Sequence, residues 1–334
     1  MENRILRSST GEALAAVDAG VVKVTCRDRR PAKVSVLVHN LNRGEALRRC
    51  LGSIARQSYR PLEVVILDAG STDDSSDVIR EACRAMEEAE IEVCVRVCPR
   101  MGVAASRNLA VSLATGDLLC FLDNDATLEA DGAVGAMVRR LGGDPRLALV
   151  SFRVLDGDSD ALDPFAWVFR RNRETWGKRA FRTFVFAGTG FCVRRAAFIE
   201  VGGFWDQLQY SREEEDAGFA LVARGWRLAY TPDITIRHYR DPHGRTSLRQ
   251  RRLMELKNGT LVLWRRLPKP LAVVAIAARV GTMSLRGFLS EERGPFDLLS
   301  AIPEAMREWR RGRLQRAPVS LQASWRYLCL HLVH

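Results

Sequence analysis

Short apolar runs alternate with helical patterns along the first 130 or so positions of the chain. Positions 34–38, Val-Ser-Val-Leu-Val, are apolar and rich in β-branched residues, which predicts a strand. Leu47, Leu51 and Ile54 then recur at helical spacing. Positions 62–67 form the next apolar run, and Ile79, Cys83 and Met86 mark a second helix. Positions 91–97 alternate apolar and charged residues, as a strand with one exposed face does. A helical pattern over 103–114 leads into the apolar run 118–122. Strands alternating with helices predict an α/β fold, a mostly parallel, doubly wound sheet with helices on both faces.

The second half reads differently. Positions 153–183 are irregular, with Trp167, Trp176 and many arginines. Positions 183–193, containing Gly188 and Gly190, read as a strand approached closely by other backbone. Gly202-Gly203-Phe204-Trp205 follows, and Glu213-Glu214-Glu215-Asp216 opens a helix. Acidic residues in a first turn are favoured by the helix dipole, which suffices for Glu213 and Glu214. Positions 226–230 predict a further strand, and His238 follows a β-branched run at 234–236. Helical patterns dominate from 246 onward. The expected organisation is an N-terminal extension over 1–30, a catalytic domain over 31–240 divided near 126, and a C-terminal helical region over 241–334. No internal repeat is visible.

The strand 118–122 ends in Asp123-Asn124-Asp125. Two carboxylates spaced i and i+2 there deliver hard oxygen ligands to the carboxyl edge of a sheet, where open α/β sheets bind ligands. With no Cys or His beside them, they suit Mg²⁺ or Mn²⁺ sharing its sphere with substrate phosphates. Taken alone, such a pair is equally what a solvated loop looks like. The loops after the first two strands are also polar: His39-Asn40-Leu41-Asn42-Arg43 and Asp68-Ala69-Gly70-Ser71-Thr72-Asp73. All three loops are expected at one edge of the sheet. No Gly-x-Gly-x-x-Gly follows the first strand and no P-loop motif occurs, which excludes the common dinucleotide and NTPase signatures.

Composition narrows the picture. The chain has 334 residues, 47% hydrophobic and 27% charged, enough for a sizeable core. No stretch reaches the ~18–20 apolar residues of a membrane span, and no signal peptide is evident at the N-terminus. The cysteines are scattered, mostly inside apolar runs, as buried thiols of a reducing cytosol would be. Net charge is +11, which favours anionic partners. Arg307, Arg310, Arg311, Arg313 and Arg316, with Trp309 and Leu314 between them, fit a helix lying on an anionic membrane. They fit equally a solvated face of a helix packed on the catalytic domain or on the second subunit of a homodimer.

In order along the chain, these segments resemble a family-2 glycosyltransferase with a GT-A fold, over about 33–265. Val34-Ser-Val-Leu-Val-His-Asn-Leu-Asn-Arg43 is similar to the family's first strand and nucleotide-binding loop, although proline usually stands at His39. Gln57-Ser-Tyr-Arg-Pro-Leu-Glu63, Leu67-Asp-Ala-Gly-Ser-Thr-Asp-Asp-Ser75, Gly102-Val-Ala-Ala-Ser-Arg-Asn108 and Asp123-Asn-Asp125 match further motifs. Gly188-Thr-Gly190, Gly202-Gly-Phe204, Glu215-Asp216, Gly225-Trp-Arg-Leu-Ala-Tyr-Thr-Pro232, His238 and Lys257-Asn258 follow in the family's order.

The resemblance implies an inverting, metal-dependent transfer of sugar from a UDP- or dTDP-sugar to a glycan or lipid-linked acceptor, as in bacterial polysaccharide synthesis. Asp68 would bind base or ribose, with His39, Asn40, Asn42 and Arg43 around it, and Gly102, Arg107 and Asn124 would help hold the nucleotide. Asp123 would touch the ribose of the nucleotide and, with Asp125 and His238, ligate Mn²⁺ or Mg²⁺. Asp216, beside Glu215, would be the general base, with Gly188, Gly190 and Trp205 toward the acceptor. The Gln-x-x-Arg-Trp motif of the processive members is absent, which implies single additions. The expected location is cytoplasmic, with a peripheral contact at the inner face of the plasma membrane. The competing classes are a nucleotidylyltransferase, which would want a Gly-rich, Lys-bearing loop after its first strand, and a non-catalytic nucleotide-sugar or nucleic-acid binder. No aromatic-basic RNA motif supports nucleic acid as a partner.

Overall fold

A computed structural model describes residues 30–208, 211–240, 248–289 and 316–325. From Lys33 onward these form one compact unit. The expected extension over 1–30 lies almost entirely outside the described residues.

The strands are β1 (Val34–Asn40), β2 (Leu62–Asp68), β3 (Glu92–Val97), β4 (Leu118–Leu122), β5 (Ala126–Leu128), β6 (Leu147–Asp156), β7 (Phe181–Thr183), β8 (Gly190–Arg194) and β9 (Arg227–His238). Among the described residues they make one sheet in the order β3-β2-β1-β4-β8-β6-β9-β5, with β7 paired to β9. β1, β2, β3 and β4 are parallel, and β8 runs antiparallel between β4 and β6. Two antiparallel steps restore the direction, so β6 and β9 again end at the carboxyl edge of β1 and β4.

The period-2 pattern explains the two cores. Val34, Val36 and Val38 of β1, with Val64 and Ile66 of β2 and Cys120 and Leu122 of β4, pack on one face. Leu37, Val65, Leu67, Leu119 and Phe121 point the other way. The first face is covered by α1 (Gly44–Ala55), α2 (Ser75–Glu88) and α4 (Ala133–Gly142). The opposite face is covered by α3 (Val103–Leu113), α6 (Arg195–Glu200), α7 (Glu213–Ala223) and α8 (Leu248–Arg266). Helix α5 is the short Arg173–Trp176, and α9 is Lys269–Leu289. Each fully buried Val, Leu or Ile contributes roughly 1.5–3 kcal/mol, so both faces of the sheet are needed for stability.

Two expectations change. The single strand over 183–193 is two strands, β7 and β8, with residues 184–189 between them. The strand expected at 226–230 continues through the β-branched run 234–236 as one strand, β9, whose partner β6 absorbs register shifts between Leu147 and Leu149 and between Ser151 and Arg153. No helix among the described residues is long and apolar enough to cross a membrane. Of the C-terminal basic run, 307–315 lies outside the described residues. Arg316 donates to the Leu267 carbonyl at 2.7 Å and stacks 4.8 Å from the centroid of the Trp264 ring, so it packs on the protein and is not available to a membrane.

Candidate active site

Register brings the polar loops together. Asn40 pairs with Asp68 where β1 and β2 end. Asn40 is fully buried, and its Nδ2 donates to Asp68 Oδ1 at 3.1 Å and to Ser75 Oγ at 2.9 Å. Asp68 also accepts from the Ser71 amide at 2.9 Å. Asn42, at φ 51°, uses its Oδ1 to accept from the Thr72 amide at 2.7 Å, tying the first loop to the second. Asn124 Nδ2 donates to Asn40 Oδ1 at 2.7 Å and links the third loop. His39 beside them is uncharged at neutral pH. Burial, and then the nearby Arg107 charge, depress it to about 4.

A second cluster forms around Asp125. The next residue, Ala126, pairs with His238 across β5 and β9. Asp125 Oδ1 therefore lies 3.3 Å from His238 Nε2, while Arg43 Nη1 lies 3.1 Å from Oδ2. Burial opposes charge on His238, but hydrogen bonds to Asp125 and Asp163 outweigh it and raise the imidazole to about 9. Asp123, with a side chain 40% exposed, turns toward Arg107 at 3.3 Å. Among the described residues no three His, Cys, Asp or Glu side chains already enclose a metal-sized space. Asp125 and His238 are in contact, and Asp123 stands on the same short loop. This donor set of oxygens and one imidazole suits a divalent cation whose remaining ligands come from phosphate.

The third cluster surrounds Arg107, on α3 five residues after Gly102. Its guanidinium donates to Glu213 and Glu214 at 3.1 Å each, to Asp123 at 3.3 Å and to the Gly188 carbonyl at 2.9 Å. One cation thus serves three acidic side chains. Burial, and then the neighbouring Glu214, push Glu213 up to about 8 against the opposing pull of Arg107. Glu214 retains a 19% exposed side chain and Asp123 a 40% exposed one, so the cleft these two carboxylates face is the solvent-open side of the carboxyl edge around Arg107. Gly202 and Gly203 turn at φ 83° and 69°, and Asn108 clamps the turn through both polar groups of Phe204.

Several expected site residues sit elsewhere. Asp216 is fully buried, and its two oxygens accept from Arg266 Nε and Nη2 at 2.7 Å each, with Arg265 at 3.4 Å. A carboxylate saturated by a bidentate guanidinium and sealed from the cleft cannot take a proton from an acceptor. Glu215 is likewise buried, held by Arg279 at 2.7 Å and Arg212 at 3.2 Å. Trp205 is 7% exposed, belongs to the second core and is covered by Arg265, so its ring is not open to a sugar. Gly190 serves packing, since a Cβ there would lie 2.4 Å from Ile236 and 3.0 Å from Phe152. Gly188 lies in the Arg107 cluster, where a Cβ would be 2.0 Å from Glu214 and 3.2 Å from Arg107. Glu214 and Asp163 escape the sequence reading. For Glu214 the available signal is that four consecutive acids exceed what a helix dipole needs. A cavity of about 550 Å³ lies at the opposite sheet edge, lined by Arg139, Arg182 and Arg227, and contains none of these residues.

Comparison with known proteins gives the family. The sequence model described as Glycosyl transferase family 2 matches residues 35–202. The glucosyl-dolichyl phosphate glucuronosyltransferase of Haloferax volcanii is 28% identical over 182 residues, covering 52% of this chain and 56% of that protein. The PGL/p-HBAD biosynthesis glycosyltransferase of Mycobacterium tuberculosis is 38% identical over 98 residues, 29% of this chain and 37% of that one. The aligned stretches span between 14% and 63% of such curated relatives. Among solved structures, the mannosyltransferase PcManGT of Pyrobaculum calidifontis, in complex with GDP-Man and Mn²⁺, superposes with a TM-score of 0.55 at 20% identity. That match covers 90% of this chain and 86% of PcManGT. Residues 1–349 of S. aureus TarS with UDP-GlcNAc give 0.58 at 14% identity, over 82% and 81% of the two chains. These likenesses support the GT-A fold.

Proposed function

The chain belongs to glycosyl transferase family 2, and on that premise we propose that it transfers a sugar from a nucleoside-diphosphate donor to an acceptor hydroxyl with inversion. The observation that carries this is Arg107, which gathers Asp123, Glu214 and the Gly188 carbonyl at the carboxyl edge of the sheet.

On this reading the Asn40–Asp68–Ser71 network receives the base and ribose of a UDP- or dTDP-sugar. Asp125, His238 and Asp123 hold Mn²⁺ or Mg²⁺; when bound, the cation offsets the charge that develops on the leaving diphosphate. Glu214 replaces Asp216 as the general base, because it alone of the four acids is both at the cleft and part-exposed. Arg107 orients it, and the neighbouring Glu213 retains its proton and so adds no second charge. One base acting opposite the leaving group favours single displacement.

The acceptor class proposed is a glycan or lipid-linked saccharide. A peripheral contact with anionic lipid is proposed for the C-terminal region, supported by the net charge of +11 and by Val273 and Val274 of α9, 58% and 67% exposed.

The test is steady-state transfer from a panel of UDP-, dTDP- and GDP-sugars, comparing Glu214→Gln with Asp216→Asn. Glu214→Gln should lose about 10²–10⁴-fold in kcat with donor affinity kept. Full activity in Glu214→Gln, or no transfer or hydrolysis from any donor by the wild type, overturns the reading.

A further inference from the structure

His238 has two ring nitrogens, and only Nε2 faces Asp125. The other, Nδ1, lies 2.7 Å from Oδ2 of Asp163. Asp163 is 1% exposed and sits in the irregular segment after β6, which gave no functional signal in the sequence. It is held on several sides. Its amide donates to the Val154 carbonyl at 3.0 Å, its Oδ1 accepts from the Phe165 amide at 2.7 Å, and Arg240 Nε lies 3.8 Å from Oδ2. The adjacent Leu162 bridges to Leu155 at the end of β6. Nothing in the proposed transfer uses this carboxylate, and it is sealed from the cleft.

A carboxylate on one imidazole nitrogen fixes ring orientation and, once the imidazole is neutral, the tautomer, so that the opposite nitrogen presents its lone pair when it gives up its proton. We propose that Asp163 is a positioning residue that aims His238 Nε2 at Asp125 and so shapes the divalent-cation site. This rests on the metal reading above. Asp163 touches neither donor nor acceptor; it acts through His238 alone. The competing role is purely structural, pinning residues 157–163 to β9.

Mn²⁺ titration of the full-length protein in the presence of UDP, followed by the EPR signal of free Mn²⁺, tests it, with melting in chelator as the fold control. The variants are Asp163→Asn, Asp163→Ala, His238→Ala and the double Asp163→Asn/His238→Ala. Asp163→Asn should weaken Mn²⁺ binding by about 10–100-fold while melting in chelator as wild type does. His238→Ala should weaken it at least as much, and the double variant no more than His238→Ala alone. Wild-type Mn²⁺ binding by His238→Ala overturns the metal reading itself. Loss in His238→Ala with wild-type binding by Asp163→Asn overturns this proposal only. Additive losses in the double variant also overturn it, as does loss of Mn²⁺ binding that tracks collapse of the metal-free fold. Asp163→Ala, which removes the acceptor outright, should be the weaker binder of the two Asp163 variants.

Discussion

Asp216 and Arg266 face each other as a fork against a fork, both oxygens at 2.7 Å from guanidinium nitrogens and both side chains buried. They join α7, whose first turn carries the proposed base, to the C-terminal end of α8, 50 residues away. The pair therefore supports the site without facing it.

Removing one member of this pair strands the other's charge. Asp216→Ala leaves Arg266 and Arg265 together with no carboxylate between them. It should destabilise the protein by about 3–5 kcal/mol in urea unfolding. A change below about 1 kcal/mol would mean that the pair is dispensable.

Arg107 is predicted to resist conservative replacement. Arg107→Lys keeps the charge, but a single ammonium cannot span the four acceptors that the planar guanidinium reaches. Donor affinity and kcat should both fall by at least about tenfold, to nearly the level of Arg107→Met. Isothermal titration with donor and initial-rate kinetics read the two effects. A Lys variant as good as wild type would show that charge alone suffices.

The pH dependence of stability carries a defined sign. Glu213 is raised from 4.5 to about 8 by burial and by Glu214. Between those values the folded state holds a proton that the unfolded state has released, so this group lowers stability as pH rises. Glu213→Gln removes that dependence. Its melting temperature relative to wild type should therefore increase steadily from pH 5 to pH 8. A constant difference over that range would place the Glu213 titration elsewhere. His238, raised from 6.5 to about 9, acts with the same sign between those values in the metal-free protein.

Two glycines two residues apart should separate catalysis from packing. An alanine at Gly188 would place its methyl 2.0 Å from the Glu214 carboxylate oxygen that Arg107 holds and 3.2 Å from Arg107 itself, so the side-chain end of Glu214 must turn away from Arg107. Activity should drop by at least about tenfold with little change in melting temperature. An alanine at Gly190 would press on Ile236 and Phe152 inside the sheet, costing about 1–3 kcal/mol of stability. Thermal melts and rates measured side by side distinguish the two, and identical behaviour would contradict the cleft position of Gly188.

If Asp125 is a ligand, losing its carboxylate and removing the cation should have the same effect. Asp125→Ala should abolish transfer while retaining the fold, and chelator should do the same to wild type. Near-wild-type turnover by Asp125→Ala in chelator would exclude a metal role for this residue. The fold should survive because Arg43 and His238, which both meet Asp125, remain part-exposed or paired with Asp163.

The sheet, its polar edge and the family were legible in the residues themselves. The apolar runs of β1, β2 and β4 are a local property, and each strand ends where its apolar run ends, so Asn40, Asp68 and Asp123 fall at one edge by register. The base was not legible. Four consecutive acids sit on α7, and each step along a helix turns the side chain by about 100°. Which one meets the cleft depends on where the helix lies on the sheet. That is decided by Arg107, Arg266 and Arg279, whose partners on α7 lie between 50 and 107 residues away. The same holds for Trp205, whose aromatic ring suits a sugar face or a core equally until Arg265 is seen to cover it. Asp163 finds His238 because β6 and β9 run side by side, and the resulting side-chain contact, across 75 residues, leaves no trace in local pattern. Local sequence determined the elements and their ends, because backbone geometry and apolar periodicity act over a few residues. Tertiary packing decided which charges meet, because burying a carboxylate requires a partner and the partners come from distant segments.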